Sequence, residues 1–422
     1  MSKQFEWSDV TASNEDTPSS PPLPPLPPIS ESMASLPGNG ATTGQAQHTT
    51  ALEGDIAIAK KIVSFSLSLI MIASLAYVGF VIFDGAELTG YRPGAAALES
   101  QEIYDDLIQA NKVSLTGAGV TVCIVDSGLN KDHQDLDNLR VSKWKDFVGN
   151  ANLPYDDHGH GTSMAGILVA DGWMKGIAPD VTLLVAKALA ANGSGDDAVV
   201  AEAIDWCAEN GAHIISLSLG GAPGLLPFNF GAERSSAQAA EDAVESGIYV
   251  IAAAGNDGGE GDDGDVATPC SETAVICVGG VTQSGTHWEG SSVGDNNGRL
   301  WPLPIITPRS DPHKKPELVA PAESVAVINK EGTWSLSDGT SAATVYVTGA
   351  IALLLQNNPE LAANGSQGDI SSINQVKQWI QQSSLPKANQ EGHDDNYGYG
   401  LLQIKALIEA ANPPPESITA ES

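Results

Sequence analysis

Val120-Thr121-Val122-Cys123-Ile124-Val125 is a short apolar run that closes on Asp126-Ser127-Gly128. It is rich in β-branched residues and a turn-forming segment follows it, so it reads as a buried strand. Further runs share this character: Val181 to Lys187, His213 to Leu219, Ile248 to Ala253 and Ala274 to Val278. Between them, Ala198 to Glu209 and Gln238 to Ser246 have a helical period, the first ending before Asn210-Gly211. Apolar strands alternating with helices predict an α/β fold of three layers, a mainly parallel central sheet covered by helices on both faces. In such sheets functional groups gather at the C-terminal strand ends. Asp126 stands at one of these ends, although a turn aspartate that caps the next segment is the ordinary alternative.

Other polar residues fall at comparable places. His160 lies in Asp157-His158-Gly159-His160-Gly161-Thr162-Ser163-Met164-Ala165-Gly166, ahead of the apolar stretch Ile167 to Ala170. It reads as a histidine at the head of a closely packed helix. Metal binding with His158 is the alternative, and no third ligand matches it. Asn256 ends Ala252-Ala253-Ala254-Gly255-Asn256. Asp338-Gly339-Thr340-Ser341-Ala342-Ala343 opens into the apolar run Val345 to Leu355. A serine at a helix N-terminus meets backbone N–H groups and a dipole that favour developing negative charge.

Taken in order, these segments resemble the subtilisin-like serine proteases, over roughly residues 100 to 410. The resemblance implies a catalytic Asp126, His160 and Ser341, with Asn256 and the backbone N–H of Ser341 as the oxyanion hole. It implies a serine endopeptidase working through an acyl-enzyme. Asn192-Gly193-Ser194-Gly195 is similar to the family's edge segment for an extended polypeptide substrate, and Ser218-Leu219-Gly220 to the segment across the cleft. Ala254 and Gly255 complete the expected substrate-binding set, with small residues walling the P1 pocket. Lys315-Pro316-Glu317-Leu318-Val319-Ala320-Pro321 is similar to the family's stretch upstream of the serine. The sequence departs from the family at Ala342 for Met, Val345 for Pro and Ser163 for His. The segment from Phe83 to residue 110 is also too short for the folding pro-domain common in the family. A catalytically silent binding module of the same fold is the competing function.

No cofactor is required for this chemistry. Structural calcium is an option for the loop Asp257 to Asp265, whose acidity otherwise suggests a preference for basic side chains or plain solvation. In 422 residues, 52 Asp and Glu against 20 Lys and Arg give a net charge of −32. That charge argues against nucleic acid and against docking on an anionic lipid surface, and suits a solubility device. Cys123 and Cys207 read as core residues. Cys270 and Cys277 are the disulfide candidates, in an oxidising compartment.

Residues 1 to 55 read as a disordered Pro/Ser/Thr-rich segment, with a polyproline stretch at Pro21 to Pro28 that serves as a spacer or a ligand. Ile62 to Phe83 carries no charge and, at about 1.5 Å per residue, is long enough for a hydrocarbon core of about 30 Å. Lys60 and Lys61 precede it, so the expectation is one transmembrane signal anchor over residues 60–84. The N-terminus would be cytoplasmic and the catalytic domain extracellular. A cleaved signal peptide and a buried helix in a cytosolic peptidase are the rivals. A linker over 85–110, a catalytic domain over 111–411 and a disordered tail over 412–422 complete the expected organisation.

Overall fold

A computed structural model describes residues 4–5, 58, 60–75, 77–78, 92–221, 234–259, 265–294 and 309–412. The polyproline stretch, most of the N-terminal segment and nearly all of the C-terminal tail lie outside the described residues. In chain order the strands are β1 (Gln4–Phe5), β2 (Thr121–Asp126), β3 (Val141–Asp146), β4 (Thr182–Lys187), β5 (Gly195–Asp196) and β6 (Ile214–Leu217). There follow β7 (Tyr249–Ala253), β8 (Ile276–Val281), β9 (Leu318–Pro321), β10 (Val325–Ile328) and β11 (Trp334–Ser337). The helices are α1 (Ala95–Leu107), α2 (His160–Val169), α3 (Asp197–Glu209), α4 (Ser236–Glu245), α5 (Thr340–Asn357), α6 (Ile370–Ser383) and α7 (Ile404–Ala411).

Seven strands form one parallel sheet in the order β3-β4-β2-β6-β7-β8-β9. Its central strands are buried along their whole length, as a sheet covered by helices requires. Helices α2 and α5 pack together, with α5 over β6 to β9; α3 and α4 pack together, with α3 against β2 and β4. Helix α5 is buried on all sides from Thr340 to Leu355, so its apolar run has no solvent face. The register sets Asp126 beside Lys187 at the C-terminal edge. Ser218 and Ala254 follow directly on β6 and β7 at that same edge.

Several elements depart from the sequence expectation. Strand β3 carries charged residues and stands at the sheet edge, so its pattern is not that of a core strand. Within the segment read as a linker, α1 folds against β10 and β11, burying Ala97, Ser100 and Tyr104. The Tyr104 hydroxyl donates to Glu323 O, and that of Ser100 to Ser324 O at 2.6 Å. Cys123 and Cys207 are buried, as read, but they form a disulfide that ties β2 to α3. Cys270 and Cys277 form the second bridge.

Residues 60–75 and 77–78 are helical, and Ile62, Phe65, Leu69 and Ile72 on them are exposed. Residues 76 and 79–83 of the apolar run lie outside the described residues. Among the described residues no helix is long and apolar enough to cross a membrane.

Candidate active site

Strand β2 delivers Asp126 to the sheet edge fully buried, and the residue after it, Ser127, donates its N–H to Asp126 Oδ1 at 2.6 Å. His160 opens α2. Its Nδ1 lies 2.8 and 2.9 Å from the two oxygens of Asp126. A carboxylate held this way fixes the ring and its tautomer, with Nδ1 carrying the proton toward Asp126 and Nε2 left as the basic nitrogen.

The turn before α2 is built on Asp156. Its carboxylate accepts from Gly159 N at 2.7 Å, His158 N at 3.2 Å, Thr162 N at 2.9 Å, Thr162 Oγ1 at 2.7 Å and Ser127 Oγ at 2.9 Å. Burial alone would raise the Asp156 carboxyl, but these donors outweigh it and hold it below the usual carboxylate range. Ser127 Oγ also accepts the Gly161 N–H at 2.9 Å, which joins the Asp126 loop to the head of α2. The two loops touch: a Cβ on Gly161 would stand 2.2 Å from Gly128 O, so only glycine fits. The rings of His158 and His160 are 6.3 Å apart, and burial followed by the neighbouring His160 lowers the His158 imidazole below its ordinary value. Among the described residues no group of three or more His, Cys, Asp or Glu could hold a metal ion.

Ser341 lies in the first turn of α5 and is buried to 2 % exposure. Its hydroxyl donates to Ser218 O at 3.2 Å, and Ser218 Oγ donates to Ser341 O at 3.1 Å. Gly339, the N-cap, has φ 152°, a conformation that a side chain would strain. Asn256 is fixed from the same turn. Its Oδ1 accepts Thr340 N–H at 2.9 Å and lies 2.9 Å from Thr340 Oγ1. With its oxygen engaged there, the amide presents its nitrogen toward Gly339, where a Cβ would be 3.6 Å away. Helix N-terminus and amide donor thus converge beside Ser341.

The substrate-segment residues occupy the same edge. Ala190 N–H donates to Ser194 O at 2.9 Å and Gly193 N–H to Ala190 O at 2.9 Å, which makes the 190s segment a tight turn running into β5. Asn192 Oδ1 accepts from Ser194 Oγ at 2.8 Å within that turn. Strand β1 pairs antiparallel with β5, Phe5 opposite Gly195 and Gln4 opposite Asp196, so this edge accepts an extended chain. Leu219 is buried, Gly220 half-buried, and Ala254 and Gly255 line the adjoining strand end.

Ala267, which the sequence did not single out, closes the space between them. Its Cβ would lie 2.7 Å from a Cβ on Gly220 and 3.4 Å from one on Gly255. Of the acidic loop, Asp265 is engaged by Arg309 at 2.9 and 2.8 Å, and Asp257 accepts from Ser292 Oγ. Residues 260–264 lie outside the described residues. Sequence reasoning gives no task to Ser127, Asp156, Lys187 or Thr340; each lies within or beside a quoted segment, and only the folded contacts give it one.

A basic imidazole nitrogen, a helix-borne serine and converging donors at the edge of a parallel sheet define a class, the α/β serine hydrolases. The comparisons narrow this. Residues 117–400 match the subtilase family, peptidase S8. Subtilisin DY of Bacillus licheniformis is 32% identical over 309 residues, covering 72% of this chain and 97% of the relative. Subtilisin E of Bacillus subtilis (strain 168) is 30% identical over 298 residues, 70% of this chain and 67% of the relative. A cold-adapted subtilisin-like serine proteinase shares the fold at a TM-score of 0.53 and 24% identity, over 69% of this chain and 90% of that one. The chain belongs to the subtilase family and is a serine endopeptidase.

Proposed function

We propose that Ser341 is the nucleophile, His160 the general base and Asp126 the group that orients the imidazole. The observation that carries this is the contact of His160 Nδ1 with both oxygens of a fully buried Asp126, on the edge where α5 presents Ser341. To attack, the Ser341 hydroxyl turns from Ser218 O and gives its proton to His160 Nε2. The acyl-enzyme forms as His160 passes that proton to the leaving amine, and water then hydrolyses it. Asn256 Nδ2 and the N–H of Ser341 bind the oxyanion. In subtilisin, a member of the same family, loss of the oxyanion asparagine lowers turnover about 10²–10³-fold, and loss of the serine or histidine about 10⁶-fold.

Polypeptide substrate binds as an extended strand between Asn192 to Gly195 and Ser218 to Gly220, the mode that β1 adopts on β5. A fluorophosphonate probe tests the assignment. Labelling of the wild type that disappears in Ser341→Ala supports it, and a folded wild type that takes no label refutes it.

The location proposed is outside the cytosol, tethered through residues 62–83. Two disulfides suit an oxidising compartment, and exposed apolar side chains on residues 60–75 suit a lipid surround. In the tethered protein a single crossing by residues 62–83 places Phe5 and Gly195 on opposite sides, so β1 leaves β5 there and the 190s edge is open to substrate. Protease protection of vesicles decides: digestion of the catalytic domain from the cytoplasmic side refutes the tethered topology.

A further inference from the structure

Lys187 ends β4 and is completely buried. An ammonium is tolerated in such a place when its three N–H bonds find acceptors. Lys187 Nζ donates to Ser127 O at 2.6 Å, to Asp157 Oδ1 at 2.6 Å and to Leu189 O at 2.8 Å. The Tyr155 ring covers it at 5.0 Å from the centroid. Each acceptor belongs to a different part of the site. Ser127 follows Asp126 and holds the Gly161 N–H. Asp157 stands in the turn that leads to His160. Leu189 opens the substrate edge, and Ala188 and Leu189 both donate their N–H to Asp126 O, at 2.8 and 3.2 Å.

Charge pairing alone does not account for this lysine. The other fully buried lysines, Lys315 and Lys377, share an equally buried Glu317. The one carboxylate on Lys187 is 39% exposed, where an ion pair contributes little, and its other two bonds go to main-chain carbonyls. What the side chain does achieve is to join three loops that no single element connects.

We propose that Lys187 is a positioning residue for peptide hydrolysis, one ammonium that holds the Asp126 loop, the His160 turn and the substrate edge in fixed relative placement. The inference rests on the triad assignment above. Relative placement matters because a displacement of about 1 Å in a reacting group can lower the rate about 10²-fold.

The test is Lys187→Met in the full chain, assayed with a short substrate that fills only the P1 pocket and with an extended peptide. Expected are a fall in kcat of about tenfold to a hundredfold on both substrates and a rise in KM on the extended one alone. Asp126 and His158 face the His160 ring directly, and Lys187 and Asp157 are charged groups on or bonded to the loops that carry Asp126 and His160. Loss of a cation from this set favours the imidazolium, so the acid limb of the kcat/KM profile moves to higher pH in Lys187→Met. Asp157→Asn removes an anion and moves it to lower pH. A purely structural fault does not produce opposite shifts.

A folded Lys187→Met with wild-type kinetics overturns the proposal. So does a loss shared equally by both substrates with the acid limb unmoved. If Lys187→Met does not fold, Asp157→Asn decides, and an unchanged profile overturns the proposal. A wild type that takes no fluorophosphonate label instead refutes the triad assignment, which keeps the two failures apart.

Discussion

Replacing Glu317 by Gln is expected to unfold the domain near neutral pH far more readily than its single lost charge suggests. Lys315 Nζ and Lys377 Nζ lie 2.9 and 2.8 Å from the same oxygen, Glu317 Oε1, and all three side chains are fully buried. The other oxygen accepts the Cys277 N–H at 2.8 Å, which pins the start of β9 to β8. Two ammoniums share one carboxylate; the Gln variant keeps both and loses the carboxylate that they share. Breaking a buried pair in this way costs about 3–5 kcal/mol. Burial already pulls the Lys315 ammonium down to about 7, against the opposing pull of Glu317, and lowers Lys377 in the same direction.

A lysine whose folded value lies below its unfolded value gains folded stability as pH rises between the two. Without Glu317 to hold them up, both lysines lie lower still in the folded variant than in the wild type, so the variant gains more as pH rises and its deficit shrinks. Near pH 9.5 each ammonium can be neutralised for about 1.4 kcal/mol, about 3 kcal/mol for the two, which holds the loss to the low end of that range. Urea unfolding followed by tryptophan fluorescence measures both, in a Ser341→Ala background that removes self-digestion. A loss under about 1 kcal/mol near pH 7, or one that grows towards pH 9.5, refutes the reasoning.

Other outcomes are equally concrete. Thr340→Val removes the hydroxyl beside Asn256 Oδ1 and is expected to lower kcat about tenfold with KM little changed, read from steady-state kinetics; an unchanged kcat refutes it. Burial, with Asp106 adding to it, raises the Asp105 carboxyl to about 7, so the folded state favours the protonated form and loses stability as pH rises from about 4 to about 7. Asp105→Asn is then expected to raise Tm near pH 8 and leave it unchanged near pH 3, and scanning calorimetry at the two pH values checks the sign. Opening the Cys123–Cys207 bridge, which spans 84 residues, is expected to cost about 4.6 kcal/mol by loop entropy. Opening Cys270–Cys277, which spans 7, costs about 2.4 kcal/mol on the same basis. Paired Cys→Ser variants in denaturant titrations measure the difference, and equal losses contradict it.

The positions of the proposed triad and of Asn256 were legible from sequence. Asp126, His160, Asn256 and Ser341 each sit where an apolar run begins or ends, so strand ends and helix heads could be placed before any contact was known. Core strands were legible from their apolar runs, but their limits were less so. The sequence reading ends a strand at Val278, yet β8 runs on through Gly279-Gly280 to Val281, where Ala322, Trp288 and Val319 crowd the glycines. Strand β3 and helix α1 were not legible, because each buries only a few side chains through partners far along the chain. The Cys123–Cys207 bridge and the reach of Lys187 share that cause: both depend on which elements the sheet order makes neighbours. Polar neighbours such as Asp156 and Thr340 carry no periodicity, and their tasks emerge only from the hydrogen bonds they make.

The touching backbones of Gly128 and Gly161 set a limit on how this enzyme can vary. A saturation library at position 161 should return glycine almost alone among active clones, because any Cβ there meets the Gly128 carbonyl. Insertions or deletions in the turns on either side face the same barrier, since the two loops cannot be re-spaced one at a time. Diversity is therefore available along the 190s edge and around Gly220 and Gly255, while the junction of the Asp126 and His160 loops must be inherited as a unit.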